Sequence, residues 1–152
     1  RSTLFPYTTL FRSRTGGMDR TLSVIRGAGI RLQVGDAPPA TLLESSTPYS
    51  FDGEATTSST LIDGAIVDLN VMSRRGRWRH TVKRLTCEGS SQLEVNADLV
   101  ILFCQRGKLL CTADEPGTLT TEDCAVIDGG ASCISLRAVE PAEVLVIELI
   151  AS

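Results

Sequence analysis

The sequence predicts an all-β chain made of two similar jelly-roll halves, on three observations. Along its 152 residues, short runs of alternating apolar and polar residues recur. Gly, Pro, Asp and Ser interrupt them roughly every eight to twelve residues, the spacing of all-β chains. No segment holds a helical period, and β-branched residues fill the runs, as a pleated surface prefers. The chain also repeats itself, and an internal repeat fixes architecture.

In order, strands are expected at 20–26 and 29–34, joined by the tight turn Gly27-Ala28-Gly29. After Pro38-Pro39 comes 41–44, and after Pro48 a short run at 49–51. Strands at 60–62 and 66–73 flank Asp63-Gly64, and Gly76 turns the chain into 78–85. The longest apolar run, residues 99–104, lies in a strand expected at 98–105, and Gly107 turns it into 108–112. Pro116 precedes 117–119, then come 124–127 and 133–137 around Gly129-Gly130, and Pro141 precedes 143–150. The serine pairs Ser45-Ser46, Ser58-Ser59 and Ser90-Ser91 read as polar turns.

LSVIRGAGIRLQV (22–34) matches VILFCQRGKLLCT (100–112): strand, Gly-containing turn, strand. Gly29 aligns with Gly107, Thr41-Leu42 with Thr118-Leu119, Asp52-Gly53 with Asp128-Gly129 and Val67 with Leu145. Two copies of such a unit imply two small antiparallel barrels, a cupin-type jelly roll duplicated into a bicupin. The expected halves are 14–85 and 86–152.

Residues 1–13 are set aside. TLFPYTTLFRS (3–13) is, letter for letter, the in-frame translation of a common short-read sequencing adaptor. It lacks the apolar core and cleavage site of a signal peptide. The expectation is a scar in place of a natural N-terminal segment, which leaves the first barrel incomplete.

Composition narrows the function. The chain is 42% hydrophobic and 22% charged, ordinary for a globular domain. A net charge of −3 argues against nucleic acid as a partner, and no apolar stretch has the length of a membrane helix. Five cysteines without a CxxC pair read as reduced thiols packed as small hydrophobes. Cupin metal chemistry needs closely spaced histidines and a carboxylate; the chain has one histidine, His80, so no metal or other cofactor is expected. No GxSxG or phosphate loop occurs.

The candidate site is the run DLNVMSRRGRWRH (68–80). Strand alternation puts Asp68, Asn70, Met72 and Arg74 on one face, and Val67, Leu69, Val71 and Ser73 on the other. Facing a barrel lumen, that polar row makes a binding wall, with Asn70 offering an amide, Met72 a thioether and Arg74 a bidentate carboxylate clamp. Facing water, it is a solvated edge or a dimer face. Arg20 opens the first strand and joins Arg74 as a second guanidinium. Arg75, Arg77 and Arg79 read as surface charge around Gly76.

GMDRTLSVIRGAGIRLQV (17–34) and LIDGAIVDLNVMSRRGRW (61–78) resemble the HutD/Ves family. The likeness is strongest over 18–32 and 64–77. It implies a cytoplasmic bicupin-like protein tied to histidine utilisation. It implies a regulatory role through binding a pathway acid, formylglutamate or urocanate, without enzymatic activity. Arg20, Asp68, Asn70, Met72 and Arg74 are then the ligand-binding residues. Two other readings stand beside it. One is a metal-independent isomerase or lyase using His80 or Asp68 as acid–base; the other is a structural homodimerisation module. The family carries a segment rich in Trp, Lys, Asn and Gly ahead of the Asp-Arg-Thr-Leu motif, where this chain has the adaptor-like run.

Overall fold

A computed structural model describes residues 2–4, 17–113, 116–129 and 133–152. All its regular elements are strands. The chain divides into two compact units, Arg1–Arg77 and Trp78–Ser152.

Among the described residues the first unit holds seven strands: β1 (Ser2–Leu4), β2 (Met18–Arg26), β3 (Ile30–Val34), β4 (Ala40–Leu42), β5 (Tyr49–Asp52), β6 (Thr57–Leu61) and β7 (Ile66–Arg74). They form a four-stranded sheet, β1-β7-β2-β5, and a three-stranded one, β4-β3-β6. The core gathers Leu22, Val24 and Ile66 from the first sheet and Ile30, Leu32 and Leu42 from the second. Each such side chain, taken out of water, contributes about 1.5–3 kcal/mol.

The second unit holds β8 (Trp78–Cys87), β9 (Ser90–Glu94), β10 (Leu99–Thr112), β11 (Pro116–Thr120), β12 (Cys124–Asp128) and β13 (Cys133–Ala151). Strands β11-β10-β13-β8 run in that order, with β12 on β10 and β9 on β13. Its core includes Val100, Leu102, Leu109, Cys111, Leu119, Ile134, Leu136, Val144 and Val146.

The duplication is a duplication of pairings. Leu22 faces Tyr49 and Asn70 in the first unit, as Val100 faces Ile127 and Glu148 in the second. Ile30 faces Leu42 and Leu61, as Leu109 faces Leu119 and Ala138. Both units thus repeat one antiparallel arrangement, the cupin-type jelly roll expected from the sequence. One aligned pair does not coincide. Asp52 faces Asp19, whereas Asp128 faces Leu99.

The structure corrects several elements. The runs at 98–105 and 108–112 are one strand, β10, whose register against β13 shifts between Cys104 and Leu109. A bulge there takes up the bend without ending the strand. The runs at 133–137 and 143–150 likewise belong to β13. The Ser90-Ser91 pair is not a turn but opens β9, and Ser58-Ser59 lies in β6. SSQLE has little strand propensity of its own; pairing with Cys133–Arg137 supplies it. The run at 78–85 falls in the second unit, not the first, because β8 pairs along its whole length with β13. Within the segment set aside as adaptor-like, Ser2–Leu4 pairs with the edge of β7. An unpaired strand edge accepts any extended segment that reaches it; the rest of residues 1–13 lies outside the described residues.

Candidate functional site

β2 and β7 pair so that Arg20 faces Met72, Leu22 faces Asn70 and Val24 faces Asp68. Cross-strand partners share a face. The polar row therefore lies on the same side as Leu22, Val24 and Ile66, the interior side of the first unit, and runs outward from its core. Along it, exposure rises from Asp68 (1%) through half-buried Asn70 to Met72 (53%) and exposed Arg74. Ile66, at the buried end of the row, is a core residue.

Arg20 Nε donates to Asn70 Oδ1 at 2.8 Å, and Asn70 Nδ2 donates to Asp68 Oδ2 at 2.6 Å. This order has one chemical solution. A guanidinium only donates and a carboxylate only accepts, so the amide must turn its oxygen to Arg20 and its nitrogen to Asp68. Asn70 is therefore a link that aims Arg20, rather than the open ligand amide expected from the sequence. Burial pushes the pKa of Arg20 down, and the charge of Asp68 opposes that shift. The guanidinium also lies over the Phe51 ring, 5.3 Å from its centroid, a cation–π distance. Phe51 faces Arg20 across β2 and β5, and Tyr49 packs beside it with ring centroids 6.0 Å apart. Sequence reasoning left both aromatics out of the site. The strands at 49–51 and 20–26 were both expected, but their pairing was not.

Arg74 is exposed at the outer end, and among the described residues its guanidinium has no ion-pair partner. Among the described residues, the charged groups on this face are two guanidinium groups and one carboxylate, Asp68. A single carboxylate ligand would balance the second guanidinium.

Arg75 is more than surface charge. It donates to Asp19 Oδ1 at 2.7 Å and the Met18 carbonyl at 3.0 Å, and it pairs with Asp52 at 2.7 Å and Glu54 at 3.4 Å. It ties the start of β2 and the end of β5 to the turn after β7. The hydrogen bonds to Asp19 and Asp52 push the Arg75 pKa up. Asp52 is pulled below its usual range, first by the Glu54 backbone N–H and then by Arg75. Arg75→Ala should raise amide exchange over residues 18–20 and 49–52 while sparing the second unit. Unchanged exchange there, measured by mass spectrometry, would contradict the clamp.

Glu148 stands in the second unit where Asn70 stands in the first. Burial raises its pKa, but hydrogen bonds from Lys83 and Thr81, both at 2.9 Å, and the charge of Lys83 outweigh that, so it sits below the usual range. Folded-state values of Asp52 and Glu148 are thus depressed from 3.8 and 4.5. The stability they contribute is complete above those values and is lost as pH falls through the lower folded ones. The melting temperature should hold between about pH 6 and 8 and fall below about pH 4; a rise on acidification would contradict this.

The remaining candidates scatter. His80 is half-buried in β8 of the second unit, opposite Leu149, while Asp68 lies in the first. Trp78 and Arg79 begin the same strand. Among the described residues no three His, Cys, Asp or Glu side chains are grouped to hold a metal, and no helix is long and apolar enough to cross a membrane.

Comparison with known proteins accords with this geometry. A solved structure from Pseudomonas aeruginosa PAO1, described as a conserved protein of unknown function, superposes with a TM-score of 0.89 at 30% identity. It matches over 99% of this chain and 80% of its own. HutD from Pseudomonas fluorescens SBW25 gives a TM-score of 0.82 at 26% identity, over 99% of this chain and 76% of its own. An uncharacterised 21.2 kDa protein from the region 3' of hutC in Pseudomonas putida is 29% identical over 127 residues, 82% of this chain. The chain spans 65% of that relative's length. The HutD family model matches residues 12–146, a span that includes both the Arg20 strand and the polar row of β7. The chain belongs to the HutD family.

Proposed function

We propose that the first unit binds a small carboxylate, and that this binding regulates histidine utilisation. The observation that carries it is the join between β2 and β7. A polar row leaves the core on the interior face, and Asn70 fixes Arg20 against it. Arg20 and Arg74 supply the guanidinium groups, Met72, Tyr49 and Phe51 the apolar wall, and Asp68 the counter-charge that holds Arg20 in place. The names of two relatives, HutD and a protein beside hutC, support the pathway. Formylglutamate and urocanate are the acids the family resemblance implies, and each carries a carboxylate for such a pair.

Asp68 is engaged by the Asn70 amide and buried, which disfavours it as a catalytic base. The role proposed is therefore binding rather than turnover, in a cytoplasmic protein. A ligand that binds only the folded state raises its melting temperature. One acid among formylglutamate, urocanate, glutamate and histidine is expected to do so. Arg74→Ala should weaken that acid at least about tenfold, the worth of a charge-assisted hydrogen bond, with little change in the unliganded melt. A cooperative melt with no shift from any of the four would remove the reading.

A further inference from the structure

A second polar surface lies in the other unit and shares no residue with the proposed carboxylate site. A hollow of about 450 Å³ is lined by Ser90, Gln92, Leu110, Thr112, Ser135 and Arg137, among others. Its floor is the run of three strands β9, β13 and β10. The register explains the lining. Ser90 faces Arg137, which faces Leu110; Gln92 faces Ser135, which faces Thr112. These six therefore form two parallel rows on one face. The alternate residues Leu109, Cys111, Ile134 and Leu136 belong to the core, so the hollow is on the outer side of the sheet.

Two features separate it from an ordinary solvated sheet face. Among the described residues, Arg137 has no ion-pair partner, although the chain carries 18 acidic against 15 basic residues. Among the described residues no carboxylate lines the hollow; the polar groups around the guanidinium are hydroxyls and one amide. A planar fork of donors with a field of hydroxyls is matched by one oxyanion attached to a hydroxylated body. Strands about 4.8 Å apart and rows about 6.8 Å apart make this field about 10 by 7 Å, the footprint of a five- or six-carbon chain. Leu110 supplies one apolar contact for its carbon face.

We infer that this hollow is a second binding site, specific for a small hydroxylated organic anion such as a sugar acid or a sugar phosphate. Arg137 takes the anionic group, and Ser90, Thr112, Ser135 and Gln92 take the hydroxyls. The site does not depend on Arg20 or Arg74.

The test is titration calorimetry of the full chain with gluconate, glucose 6-phosphate, inorganic phosphate and glucose. At least one of the two sugar anions should bind at millimolar concentration, and which one does separates carboxylate from phosphate recognition. Arg137→Ala should weaken it at least about tenfold. Ser135→Val should weaken it too, and Arg74→Ala should leave it as it is. Arg137 and Ser135 are exposed, so both variants should keep the parent melting temperature. The proposal is overturned if neither sugar anion binds below about 10 mM, or if Arg137→Ala binds as the parent does. It is also overturned if inorganic phosphate binds as tightly as the sugar anions, or if Ser135→Val changes nothing, because the hydroxyl rows would then recognise no ligand.

Discussion

Asp68→Ala is expected to cost about 2–3 kcal/mol and to abolish carboxylate binding. Asp68 is 1% exposed and accepts the Asn70 amide, which in turn holds Arg20. Removing the carboxylate takes away the Asp68 acceptor of the Asn70 amide and the Asp68 charge that acts on the Arg20 guanidinium. Arg20 is only half-buried, so water screens part of the loss and the figure stays below that of a fully buried pair. For a chain of this length the melting temperature should drop by about 5–10 °C. The guanidinium, no longer aimed, should lose the ligand even well below the melt. A drop under about 2 °C with binding intact would show that the Asp68–Asn70–Arg20 chain organises nothing.

Gly107→Ala is expected to be the most destabilising single methyl in the second unit. Gly107 has φ +90°, a region that disfavours any side chain. An added Cβ would meet the Pro141 carbonyl oxygen at 2.1 Å and the Ala142 Cα at 2.7 Å. Both obstacles are backbone, so no rotamer relieves them. Strain and overpacking together should cost about 3–5 kcal/mol. Thermal melts should show the fall, and Gly89→Ala serves as the contrast, since nothing lies within 4 Å of its Cβ position. Equal melts for the two variants would mean that the chain can shift at the β10 bend at no cost.

Much of this fold was legible because the sequence states it twice. The hairpin-like runs at 22–34 and 100–112 align by eye, and their pairing partners turn out to be equivalent. What was not legible is continuity. The Gly27-Ala28-Gly29 turn separates β2 from β3, whereas Gln105-Arg106-Gly107 is absorbed as a bulge inside β10. Both stretches carry glycine at positive φ, and only tertiary pairing decides whether the strand ends. β9 was missed for the same reason, since Leu93 is its one large apolar residue.

For the site, alternation grouped Asp68, Asn70, Met72 and Arg74 correctly, because a strand's period is a local property. Which way the row faced depended on Leu22 and Val24 pairing opposite it, and that register is not local. The internal use of Asn70, the placement of Phe51 beneath Arg20 and the Arg75 clamp all join residues many positions apart. No spacing rule reports such links.

The central claim is that a carboxylate sits on the interior face of the first unit, between Arg20 and Arg74. The most direct measurement is a crystal structure of the chain with the acid that raises its melting temperature most. The account predicts carboxylate oxygens at about 2.7–3.0 Å from guanidinium nitrogens of Arg20 or Arg74, with the ligand body against Met72 or Phe51. An acid seated elsewhere, with both guanidinium groups unengaged by it, would contradict the account.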